Sequence, residues 1–350
     1  MKIKKFALLS TIVAGSLLLG ACGGGDSNGD DAEDTVEVGD DHSFIYVTND
    51  PIGVNEFLES GKVGIEQAAE EFNGTSKIYE SDGTDESRRS NLDAAVAEAP
   101  DVVVMITFDF TDLSAEYAEA NPDQEFLLID DCPADAPDNL TCAVFREHEA
   151  SYLIGVEAGL RTESDHIGTV ASVDNPLLQR YYEGFREGAE SVNSDVESTE
   201  LFIEGENPFS DPAKGKEQAL SMAATGADNV FAVGAGSNGG IFEAAEEEDF
   251  TAYGVDVDQC DMAPGHGGDG TLKAVDVLVV SEIEKILDGE ADSVSSYGLA
   301  EGGMDIVALA DDMDDSECTI FDEPDIIEEL EDVKQQIIDG DIEVTDPAES

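Results

Sequence analysis

Positive charge is what this sequence has least of. Against 82 aspartates and glutamates stand 16 lysines and arginines, a net charge of −66 over 350 residues. Such a chain repels phosphate, so nucleic acid is excluded as a partner. Basic residues form no block beyond the first five positions. Histidine is scarce as well: His42, His148, His166 and His266 are scattered, no two at metal-ligand spacing on one helix and none beside a nucleophile. There is no C-x-x-C. A catalytic set, a metal site and a cofactor are therefore not expected, and the chain reads as a non-enzyme.

What is present begins with an address. Lys2, Lys4 and Lys5 precede an apolar run from Phe6 to Gly20, which is too short to span a bilayer and reads as a signal peptide over residues 1–21. Its end, Leu19-Gly20-Ala21-Cys22, resembles a bacterial lipoprotein lipobox. That resemblance implies cleavage before Cys22, a lipid on Cys22, and a mature protein held at the cell membrane facing outside the cytoplasm. Residues 22–41, rich in Gly, Asp and Ser, read as an acidic disordered tether. Four further cysteines remain in an export context that permits disulfides. Of the three possible pairings we favour Cys132–Cys142, which flanks PADAPDNLT, with Cys260–Cys318. The acids are dispersed over the whole chain rather than gathered in a tail, the pattern of a halophilic protein whose self-repulsion is screened by molar salt.

The body alternates apolar runs with helical stripes, which predicts an α/β architecture of parallel sheets. SFIYVT, DVVVMIT, FLLID and CAVF read as strands of one lobe, and IGTVASV, NVFAV and AYGVDV as strands of another. Between the two sets lies CAVFREHEASYLIGVEAGL, residues 142–160. There the chain leaves one lobe through a strand and enters the next through a helix with Tyr152, Leu153, Val156 and Leu160 on one face. The expected lobes are residues 42–145 with 262–295, and residues 146–261 with 296–345. Asp130 and Asp256 each follow an apolar strand, where open α/β sheets bind ligands; Asp131 and Asp258 are their neighbouring rivals. GAGSNGG places Gly234, Gly236 and Gly239 in a G-x-G-x-x-G pattern between a strand and a helix. This either brings backbone N–H groups close to a ligand or marks an exported NAD-dependent enzyme, the alternative from another functional class.

PIGVNEFLESGKVGIEQAA, NPDQEFLLIDD, the 142–160 segment, NPFSDPAKGKEQA, YGVDVDQC and TLKAVDVLVV together resemble the BMP (basic membrane protein) family of ABC-transporter substrate-binding lipoproteins, of the purine-nucleoside-receptor type. The resemblance covers about residues 43–345. It implies a type I periplasmic-binding-protein fold, two doubly wound parallel-sheet lobes joined by a multi-strand hinge. It also implies a nucleoside as small-molecule ligand and ABC permease subunits as partners. A receptor for riboflavin or a sugar is the alternative within the fold. Asp130 and Asp256 would then hold the ribose, with Lys273 matching a family lysine that supports the ribose-binding acid. Phe57 and Phe209, one aromatic in a polar loop of each lobe, would sandwich the base. Where the family often carries Ile-Asp-Asp-Lys-Ser-Phe, this chain has Ile52 to Phe57, and the first-loop acid falls on Asn49 or Asp50; Asp50 or Asn55 would read the base edge. Closure is expected about the strands near Phe145, Cys260 and Ser295.

Overall fold

The computed structural model describes residues 35–349 apart from Asp312 and Asp314. The signal peptide, Cys22 and most of the expected tether lie outside the described residues. The tether's last part is not free chain: β1 (Thr35–Glu37) pairs antiparallel with β3 (Thr75–Tyr79), and Gly39 N–H donates to the Gly74 carbonyl at 3.2 Å. A three-residue edge strand of this composition carries no periodicity that a sequence could reveal.

One sheet has the order β1-β3-β2-β4-β5-β6-β12. Here β2 is Ser43–Val47, β4 Val102–Ile106, β5 Glu125–Ile129, β6 Leu140–Phe145 and β12 Val294–Tyr297; every pairing but that of β1 is parallel. Alternate side chains of β2, β4 and β5 fall into two separate cores. Tyr46, Val104 and Leu127 lie in one; Val47, Val103 and Phe126 lie in the other. Both faces are therefore covered, which is why these strands read as unbroken apolar runs. The second sheet has the order β13-β11-β10-β9-β7-β8: β7 (His166–Ala171), β8 (Glu197–Phe202), β9 (Asn229–Val233), β10 (Thr251–Gly254), β11 (Gly267–Lys273) and β13 (Met304–Ile306), parallel but for β13.

The organising helix is α4 (Glu147–Arg161), buried from Glu147 to Gly159 except at half-buried Glu149. It packs along α5 (Pro176–Val192) closely enough that a Cβ on Gly155 would stand 2.0 Å from the Phe185 carbonyl oxygen, and one on Gly188 2.0 Å from that of Tyr152. The expected one-sided stripe is thus a buried helix. Leu160, placed on its apolar face, is exposed instead.

The chain crosses into the second lobe at Phe145 and returns at Lys273, not at 262. Segment GGDGTLK, absent from the strands expected above, is the strand β11, parallel to β10. Its glycines hid it from apolar periodicity; they are needed because a Cβ on Gly267 would meet Cys260 Cα at 2.7 Å. Helix α8 (Val275–Asp288) then packs on α1 (Glu56–Glu71) in the first lobe, and β12 pairs with β6 before the chain crosses again to β13. Cys260 lies in a 3-10 turn of the second lobe and is no crossing point, which corrects the expected hinge. Disulfides join Cys132 to Cys142 and Cys260 to Cys318. Each stabilises by roughly 2–4 kcal/mol.

Candidate functional site

Strands of both sheets aim their carboxyl ends at one cavity. It is lined from the first lobe by Asn49, Phe57, Thr107 and Asp130, and from the second by Tyr181, Phe209, Ala235, Asp256 and Lys273 among others. Its empty space is about 560 Å³ when the open solvent at its mouth is included. Four non-glycine residues at its wall have positive φ: Thr107 (97°), Asp130 (91°), Ala235 (48°) and Asp256 (71°), each just past the end of a strand. Such conformations cost on the order of 1–3 kcal/mol apiece. They turn the chain sharply, so that strand-end groups face the cavity.

Lys273 ends β11 and is almost completely buried. Its Nζ lies 2.6 Å from Asp130 Oδ1 and 3.0 Å from Glu147 Oε1. Three rings wall it in, with centroids at 5.2 Å (Phe57), 4.7 Å (Phe145) and 5.5 Å (Tyr181). Burial works against the ammonium, but the surrounding carboxylates, Asp130 first, outweigh it and hold the lysine well above its ordinary range. Asp256 accepts a hydrogen bond from Tyr181 Oη at 3.2 Å. Burial pushes its carboxyl up to about 6, opposed by Lys273 and reinforced by Asp130. Lys273 forms its ion pairs with Asp130 and Glu147 rather than with Asp256, which it meets through the backbone, Lys273 N–H to Asp256 carbonyl at 3.0 Å.

The remaining expected residues divide. Asn49 lines the cavity; its Nδ2 donates to Asp50 Oδ2 at 3.0 Å and to Asp109 Oδ2 at 2.8 Å, and its Oδ1 is buried without a partner among the described residues. Asp50 is not among the lining residues and stands behind Asn49, its carboxyl raised by burial and by Asp109. Asn55 lines the cavity, but its Oδ1 caps α1 by accepting from Leu58 N–H at 3.3 Å. Phe209 reaches across the cleft to Phe108, ring centroids 5.9 Å apart. The lobes also touch where Gln259 Nε2 donates to Glu56 Oε2 at 3.0 Å. Gly234 and Gly236 do not line the cavity; Ala235 between them does. Gly234 N–H donates to Asn238 Oδ1 at 2.8 Å, so it is not held out to a phosphate. Gly236 is where the backbone passes the other lobe, since a Cβ there would come within 3.2 Å of Val54 Cγ2. Among the rivals, Asp131 pairs with Thr111, and Asp258 accepts from Cys260 N–H at 3.0 Å.

Sequence reasoning missed Glu147 and Tyr181. Glu147 stands in the charged run Arg146-Glu147-His148-Glu149, and Tyr181 on a helix stripe with Leu178, Phe185 and Ala189. For Glu147 one signal was available: a carboxylate opening a helix whose next turns, Ala150 to Val156, carry no charge needs a cation if that helix is buried.

A family model described as "Bmp: ABC transporter substrate-binding protein PnrA-like" matches residues 44–347. The chain is 30% identical to a CD4+ T-cell-stimulating antigen of Listeria innocua over 98% of its own length and 99% of that protein's. It is 28% identical to the ABC transporter nucleoside-binding protein BmpA of Lactococcus lactis, over 87% of this chain and 92% of that one. A crystal structure of an ABC transporter solute-binding protein from Aeropyrum pernix superposes with a TM-score of 0.76 at 24% identity, covering 87% of this chain and 94% of the other, and shows the same fold.

Proposed function

The chain belongs to the Bmp family of PnrA-like substrate-binding proteins of ABC transporters, a family of receptors rather than enzymes, and from that premise we propose that it captures a purine nucleoside between its lobes and delivers it to a permease. The observation that carries the ligand class is the pairing of groups around one cavity: an aromatic ring from each lobe, Phe57 and Phe209, beside two strand-end carboxylates, Asp130 and Asp256. Rings of this kind stack on a flat base, and a carboxylate accepts from the neighbouring hydroxyls of a ribose. Asn49 adds selectivity. Carboxylates accept only, so Asp50 and Asp109 fix its amide with NH₂ toward themselves, and its Oδ1 accepts from a base edge that presents N–H. Titration calorimetry with inosine, guanosine, adenine, riboflavin and ribose tests the reading. Saturable binding of inosine or guanosine is expected; binding of ribose or riboflavin with no nucleoside bound would overturn it.

We further propose that Cys22 carries a lipid anchor and that the protein works in molar salt. No helix among the described residues is long and apolar enough to cross a membrane, and the lipobox supplies the attachment. The net charge of −66 opposes compaction at low ionic strength, and the Debye length falls from ~10 Å at 0.1 M to ~3 Å at 1 M. The thermal midpoint is expected to climb steeply toward molar salt; a flat profile would rule the salt reading out.

A further inference from the structure

Behind the cavity runs a line of alternating charge, buried at Asp130, Lys273 and Glu147 and half-buried at Arg180 and Asp346. Asp130, from the first lobe, holds Lys273 at 2.6 Å. Lys273 is the last residue of β11, immediately before the chain returns to the first lobe, and its Nζ lies 3.0 Å from Glu147 Oε1. Glu147 is the first residue of α4, immediately after the opposite crossing, and its Oε2 lies 3.5 Å from Arg180 Nη1. Arg180 Nε lies 3.0 Å from Asp346 Oδ1, on the C-terminal segment. Glu147 is completely buried yet does not line the cavity. A carboxylate placed so deep persists only where cations hold it.

We infer that Glu147, backed by Arg180 and Asp346, is a positioning residue for Lys273, fixing the ammonium against Asp130 and thereby tying the C-terminal segment to the ligand cavity. An ammonium has three protons and no preferred direction of its own. With Asp130 as sole partner it could swing about the flexible lysine stem. Glu147 pulls from the opposite side of the hinge and sets its direction. Arg180 occupies the second oxygen of Glu147, so that Glu147 does not draw Lys273 off Asp130. Asp346 orients the guanidinium in turn.

The ligand arm of the test rests on the nucleoside reading; the spectroscopic arm does not. In ligand-free protein labelled with ¹⁵N-lysine, Lys273, assigned through Lys273→Arg, gives a slowly exchanging ammonium signal. Glu147→Gln is expected to shift or abolish that signal and to weaken inosine binding about tenfold, through loss of one buried ion pair, while adenine binding changes less than twofold. Asp346→Asn, at the outer end of the line, should produce a smaller change of the same kind. It serves as the test if Glu147→Gln does not fold. Arg186→Gln, an exposed pair on the same helix as Arg180, should change neither readout. An unaltered Lys273 signal with unaltered inosine affinity in Glu147→Gln overturns the inference, and so does equal weakening of inosine and adenine, which would mark a general loss of structure. If wild-type protein binds no nucleoside, the functional reading fails by itself. The ammonium signal then decides the positioning role, loss supporting it and persistence overturning it.

Discussion

Helix α4 and strand β11 lie against each other and carry a buried charge cluster at each end. At the cavity end Glu147 meets Lys273, and carboxylate faces ammonium. At the far end Glu157 meets Asp269, and carboxyl faces carboxyl. Both are completely buried. Arg161 reaches Glu157 at 2.7 Å but is shared with Glu323 at 3.2 Å. Glu157 Oε2 and Asp269 Oδ2 lack hydrogen-bond partners if both groups are ionised, which a proton held between them would supply. Burial, and then the charge of Asp269, raises Glu157; burial raises Asp269 to about 7, opposed by the hydrogen bonds it receives from Gly270 and Ala308 N–H. The difference separates a working cluster from a structural one. At the cavity end the ammonium opposes the upward push that burial exerts on Glu147 and Asp256, and Asp130 and Asp256 face the cavity; a shared proton leaves the other pair nothing to offer outside itself.

Removing the ammonium should break the comparison most severely. Lys273→Met would leave Asp130 buried without its cation, Glu147 with Arg180 alone, and Asp256 without the nearby charge that opposes its burial, a change of the kind that costs about 3–5 kcal/mol. Urea unfolding followed by circular dichroism should show that loss, together with loss of nucleoside binding. An unchanged unfolding free energy would mean that the acids do not depend on Lys273.

Next in size is the effect on ligand alone. Asp256→Ala should cost nucleosides about 2–3 kcal/mol, or roughly 30- to 150-fold in affinity, by leaving ribose hydroxyls unpaired in a closed cleft. Adenine, lacking the sugar, should bind almost as before. Phe57→Ala should weaken nucleosides and adenine by a similar factor, since the ring touches only the base. Calorimetry on both variants separates the two roles; if Asp256→Ala weakens adenine as much as inosine, the carboxylate does not contact the sugar.

How far these clusters could be seen beforehand follows from their surroundings. Strands with both faces covered announce themselves as apolar runs, so β2, β4, β5 and β9 were legible, and with them the strand-end positions of Asp130 and Asp256. Lys273 stood out because basic residues are so few. β11 was illegible because Gly267, Gly268 and Gly270 contribute closeness rather than hydrophobicity. Without β11, neither Glu147 nor Glu157 had a visible partner, and α4 read as an amphipathic helix. G-x-G-x-x-G misled for the converse reason: the pattern is present, but Asn238 accepts from the first glycine's N–H.

The smallest effect, and the only one expected to stabilise, belongs to the far cluster. Asp269 Oδ1 accepts from Gly270 N–H at 2.7 Å and from Ala308 N–H at 3.2 Å. An asparagine can keep both bonds through its own Oδ1 and turn its NH₂ toward Glu157 Oε2, satisfying the oxygen that now lacks a donor. The folded-state value of Asp269 lies above its ordinary value of 3.8, at about 7. Its contribution to stability is therefore fully present below about pH 4 and is lost as pH rises through about 7, because the unfolded chain releases the proton first. Asp269→Asn removes that loss. At pH 8 it should be more stable than wild type by on the order of 1–2 kcal/mol, less than the full displacement would give because the proton is shared with Glu157. Between pH 4 and 8 its thermal midpoint should fall less than that of wild type. Part of the slope should persist in the variant, since Asp256, raised to about 6, contributes with the same sign. Glu157→Gln should act in the same direction but less, because it also strips Arg161 of its buried partner. Should Asp269→Asn lower the midpoint at pH 8, the two acids do not share a proton, and the far cluster is an ionised one like its counterpart at the cavity.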